Sequence, residues 1–142
     1  MFDRNRVVHL GTDLWVPAGT KVLAPLDGEF FLMENRDSGK GDFGPRIIIK
    51  HSVNGVVFYT MYAHLSLVSL NGKKKGQLVR KGEEIGEVGN FPLNGNWPSH
   101  LHFQIVRNSD KIKGVVTLAE REEFLKISPD PNLILRIGVL SK

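Results

Sequence analysis

The chain has 142 residues, 41% of them hydrophobic, which suits one globular domain able to bury a core. Its net charge is only +4, with the basic side chains scattered apart from Lys73, Lys74, Lys75, Arg80 and Lys81, so no clustered phosphate-binding stripe marks it for nucleic acid, and that lysine run reads as a solvated loop. Cysteine is absent, which rules out disulfides and thiolate metal sites and leaves His, Asp and Glu as metal donors.

The first residues, MFDRNRVVHL, lack a charged start followed by an apolar stretch, and no segment is long and apolar enough to insert in a bilayer. The expectation is a cytoplasmic location if the chain is complete or belongs to a multidomain protein, and the cell envelope if it is excised from an exported one.

Near the start, HLGTD offers His9 and Asp13. Beyond it, strands separated by glycine-marked turns are predicted at Val22 to Ala24, Gly28 to Met33, Arg46 to Lys50, Val56 to Ala63, Leu78 to Val79, Glu84 to Val88 and Leu101 to Val106. Asn54 and Gly55 can take the positive φ of a tight hairpin turn between two apolar runs. Residues 34–45 and 90–99 read as loops; Trp97 and Phe91 of the second either line a cleft or cover the core. Thr117 and Glu120 form a capping-box pattern that predicts one short C-terminal helix, ended by Pro129 and Pro131.

HLHF, ninety residues after HLGTD, carries His100 and His102. In an extended strand both imidazoles face one way, with Leu101 and Phe103 turned to the core. Two imidazole and carboxylate clusters far apart in sequence match the way zinc sites are assembled, with three protein ligands and one position left for water. His51, with no companion motif, reads as a hydrogen-bonded structural residue, and His64 in YAHLS ends an apolar strand near the same sheet edge.

The chain resembles the zinc metallopeptidases of the lysostaphin type, the M23 or LytM-like family. The resemblance rests on HLGTD (H-x-G-x-D), PAGTKVLAPLDGEF, YTMYAHLS, KGQLVRKGEEIGEVGN and SHLHFQI in that order, and covers roughly residues 9 to 106. It implies a mainly β fold, an antiparallel sheet and barrel-sandwich of LytM type, as one domain over 1–142 with the helix and tail in 107–142. It implies Zn2+ held by His9, Asp13 and His102, with His64 and His100 as catalytic histidines, and a peptide or peptidoglycan substrate. Spacing alone does not divide the roles of His100 and His102. Two features depart from the family's pattern: the loop NFPLNGNWPS is bulky and holds two prolines, and Gln104 stands where an acidic residue is common.

SPDPNLIL and NGNWPSHLHFQI also resemble a subgroup in which this domain lies between a kinase-like and a class III aminotransferase domain. That likeness implies additional domains in a longer parent chain and a cytoplasmic home. Two other functions fit parts of the sequence: a non-catalytic LytM-like regulatory module, and a carrier or phosphotransfer unit suggested by AGTKVLAPLDGEF and VRKGEEIGEVG. A carrier needs a displayed hairpin-tip lysine that cannot be located, and phosphotransfer leaves Asp13 without a role.

Overall fold

The computed structural model describes residues 11–36 and 42–107, together with the backbone of 8–9 and 115–116. The strands in chain order are β1 (Val8–His9), β2 (Thr12–Leu14), β3 (Lys21–Leu23), β4 (Gly28–Arg36), β5 (Gly44–Val53), β6 (Val56–Ala63), β7 (Leu78–Val79), β8 (Glu84–Glu87), β9 (Leu101–Val106) and β10 (Val115–Val116). A 3-10 turn, Leu67–Leu70, lies between β6 and β7. The predicted C-terminal helix lies outside the described residues.

Six strands form an antiparallel sheet in the order β2-β9-β6-β5-β4-β7, and β3 pairs with β8, β1 with β10. The β5–β6 hairpin turns where the sequence predicts, through Asn54 at φ 52° and Gly55 at φ 79°, with Val53 opposite Val56. Strands β4 and β5 run past their predicted ends because they pair with each other from Glu29 opposite Lys50 to Arg36 opposite Gly44, and β5 continues to Val53 against β6. β2 was not predicted: three residues carry too little alternation to be seen, and pairing with β9 is what makes them extended.

Period-two alternation then divides the large sheet. Ile47, Ile49, Tyr62, Leu101, Phe103 and Ile105 join Val22, Ala24, Ile85 and Val88 of the β3/β8 layer in one buried cluster. Arg46, Met61, His102 and Gln104 occupy the alternate positions and are also buried. The core therefore backs one face of the sheet and the candidate site occupies the other.

His51 is buried within a closed chain of hydrogen bonds. Its Nδ1–H donates to the Asp27 carbonyl at 2.8 Å, so Nε2 accepts from Thr60 Oγ1 at 2.7 Å, and Thr60 in turn accepts from the Tyr62 hydroxyl at 2.7 Å. Burial lowers the His51 pKa and raises that of Tyr62. The predicted structural role for His51 is what the structure shows.

Candidate functional site

Antiparallel register brings the two motifs together. Asp13 on β2 lies directly opposite His102 on β9, and Asp13 Oδ1 is 3.3 Å from His102 Nδ1. Residue 11 must be glycine for this approach, because a Cβ there would come within 2.6 Å of His102 Nε2 and 2.7 Å of the Phe103 carbonyl. The glycine of HLGTD thus lets the backbone lie flat against an imidazole.

His100, one residue before β9, places Nε2 3.6 Å from the same Asp13 oxygen. Its Nδ1–H donates to the Pro98 carbonyl at 2.7 Å, which fixes the tautomer and leaves the Nε2 lone pair facing Asp13. His102 has the opposite arrangement: Nε2–H donates to Gln104 Oε1 at 2.9 Å, so Nδ1 carries the inward lone pair. Alternation on β9 makes this pairing possible, since residues 102 and 104 share a face.

His64 follows β6, whose last residue Ala63 pairs with His102. Its backbone is in the left-handed region at φ 63°, a conformation costing about 1 kcal/mol or more that persists only where neighbours hold it. They do: His64 N donates to the Phe43 carbonyl, its carbonyl accepts from Gly89 N, and its Nδ1–H donates to the Asn94 carbonyl at 2.9 Å. The ring lies 4.4 Å from that of His100 and 6.0 Å from that of His102. Burial, and then the nearby His100, push its pKa down to about 3, so it is a neutral imidazole at physiological pH.

Apart from Trp97, the wall and floor come from residues the sequence did not single out for this role. Asn94 is fully buried; its Oδ1 accepts from Trp97 N and its Nδ2 donates to Gly89 O, which sets the carbonyl that meets His64. Gly44 presses against Asn94, with no room for a Cβ. Trp97 donates Nε1–H to the Asp42 carbonyl and contacts both His64 and His100, so it lines the cleft, whereas Phe91 is exposed. Phe43 packs edge-on against His102 at 5.7 Å and carries the Arg46 guanidinium over its ring at 5.0 Å. Arg46, buried, is held by Glu34 through Nε and Nη2. No periodic or motif signal in the sequence points to Phe43, Arg46 or Asn94, since each acts through a long-range contact.

Of the five predicted site residues, Asp13, His64, His100 and His102 converge. His9 belongs to β1, opposite Val115, and its side chain lies outside the described residues. Among the described residues no three His, Asp or Glu donors form a metal-holding group by themselves. Asp13 and His102 nevertheless fit two corners of one: zinc bonds of about 2.0–2.2 Å in a tetrahedron put neighbouring donor atoms about 3.3–3.5 Å apart, and the observed separation is 3.3 Å.

Residues 7–114 match the sequence profile described as Peptidase family M23. The peptidoglycan DD-endopeptidase ShyA of Vibrio cholerae is 34% identical over 99 residues, covering 69% of this chain and 20% of that protein. A zinc-containing peptidase from Vibrio cholerae superposes with a TM-score of 0.53 at 31% identity, over 68% of this chain and 26% of that one. The catalytic domain of lysostaphin from Staphylococcus simulans gives a TM-score of 0.60 at 28% identity, over 83% and 79%. The chain spans between a fifth and a quarter of the length of the first curated relatives it matches.

Proposed function

The chain belongs to peptidase family M23, and from that premise we propose that it is a zinc metalloendopeptidase cutting short Gly- or Ala-containing peptides such as peptidoglycan cross-links. The observation that carries the proposal is the convergence on Asp13 of two imidazole nitrogens whose outer N–H groups are already committed to protein acceptors. The peptidoglycan endopeptidase named among its relatives supports the substrate class.

His9, Asp13 and His102 would hold the ion, and zinc so bound supplies Lewis-acid polarisation of a scissile carbonyl and a lowered pKa for water. His100 Nε2 then accepts the proton of the attacking water as its oxygen bonds to the peptide carbon. When the C–N bond breaks, the same nitrogen returns that proton to the leaving amine. His64, kept neutral by burial, accepts a hydrogen bond from the water through Nε2 and orients it. The carbonyls of Pro98 and Asn94 keep the Nδ1–H of each ring engaged, so that Nε2 is the nitrogen left to meet the water.

Protein purified without added zinc should contain stoichiometric zinc and should cleave pentaglycine or isolated peptidoglycan in a chelator-sensitive manner. Bound zinc without cleavage of any wall peptide would replace the hydrolase with a regulatory LytM-like module. A metal-free protein would remove the proposed centre altogether.

A further inference from the structure

Trp15 is 66% exposed, yet its ring stacks on that of His100 with centroids 4.5 Å apart and planes tilted by 32°. It stands two residues from Asp13, next beyond β2. His100 does not depend on it for placement, being buried and tied to the Pro98 carbonyl. The second indole, Trp97, meets the same imidazole at 6.1 Å and 84° but is partly buried and anchored to Asp42. One tryptophan is a fixed wall; the other presents an open face beside the candidate general base.

We propose that Trp15 is a substrate platform, on whose outer face the amide plane of the glycyl or alanyl residue beside the scissile bond lies flat. The inference rests on the peptidase reading given above. An indole face is a broad apolar surface with a negative quadrupole, and a planar amide stacks on it only when no bulky side chain intervenes. A β-branched residue at that position would hold the backbone off the ring and carry the carbonyl away from His100. Trp15 thereby acts on both affinity and the choice of small residues.

The test compares native protein with Trp15→Ala and Trp15→Phe, using pentaglycine and an analogue carrying valine beside the cleaved bond. A stacking contact of this kind predicts a KM for pentaglycine raised about three- to tenfold in Trp15→Ala, with kcat changed by less than about twofold. Trp15→Phe should recover most of the loss, and the preference for glycine over valine should shrink in Trp15→Ala. Turnover is not needed for the second readout: pentaglycine added to metal-free protein should alter the indole fluorescence of Trp97→Phe, in which Trp15 is the one remaining indole. Unchanged KM and selectivity in Trp15→Ala would overturn the platform, as would a defect confined to glycan-bearing substrates. A fluorescence response without cleavage would leave the platform standing and remove the peptidase.

Discussion

His102 and Gln104 form a hydrogen bond of 2.9 Å that decides which imidazole nitrogen meets Asp13. Because Gln104 is fully buried, no solvent can take its place as acceptor for Nε2–H. Gln104→Leu should therefore weaken zinc affinity about 10- to 100-fold. Gln104→Glu, which keeps an acceptor and adds charge, should retain or tighten binding. Competition with a chromogenic chelator measures both; equal affinity in the leucine variant would show that Gln104 has no hold on the tautomer.

The two histidines of HLHF should separate by phenotype. His102→Ala should lose its metal, whereas His100→Ala should keep it and lose about 10²- to 10⁴-fold in kcat, the usual contribution of a positioned general base. Metal analysis of each purified variant beside its cleavage rate checks the division. A zinc-loaded, fully active His102→Ala protein would refute the ligand assignment.

Gly11→Ala tests the close approach of β2 to the same imidazole. The added methyl would sit 2.6 Å from His102 Nε2 and 2.7 Å from the Phe103 carbonyl, so ring or strand must move. Zinc affinity should fall while the circular dichroism of the sheet stays native, because β2 contributes only three residues to it. Unaltered affinity would mean that the ring has another seat.

Acid should destabilise the metal-free protein through His51. Its folded pKa is depressed by burial, so the unfolded chain binds the extra proton. The stability tied to this group is complete above the unfolded pKa of about 6.5 and is lost as pH falls below it towards the lower folded value. Urea unfolding from pH 7 downward should show a decline that is shallower in His51→Gln. An identical slope in the two proteins would rule out His51 as a source of acid lability.

Glu34 compensates the buried guanidinium of Arg46 beneath Phe43. Removing it in Glu34→Ala should destabilise the fold by about 1–3 kcal/mol, an amount reduced from that of a fully buried pair because Glu34 is partly solvated. Changing both residues, in Glu34→Ala with Arg46→Met, should recover part of the loss, since no charge then remains buried without a partner. Chemical denaturation of the native protein, Glu34→Ala, Arg46→Met and the double variant supplies the numbers for that cycle.

Much of this protein was legible in its residues. Alternation assigned Leu101 and Phe103 to the core and residues 100 and 102 to the other face, and Asn54-Gly55 placed a hairpin turn to the residue, because both depend on near neighbours along the chain. The donor inventory, free of cysteine and rich in paired His and Asp, pointed to a zinc-type centre for the same reason. What only the folded chain decided are relationships across strands: Asp13 opposite His102, Nδ1 of one histidine and Nε2 of another facing inward, His64 turned by a left-handed backbone, and Trp15 laid on His100. Register, tautomer and ring stacking arise from contacts between residues tens of positions apart, whose energies no local pattern carries.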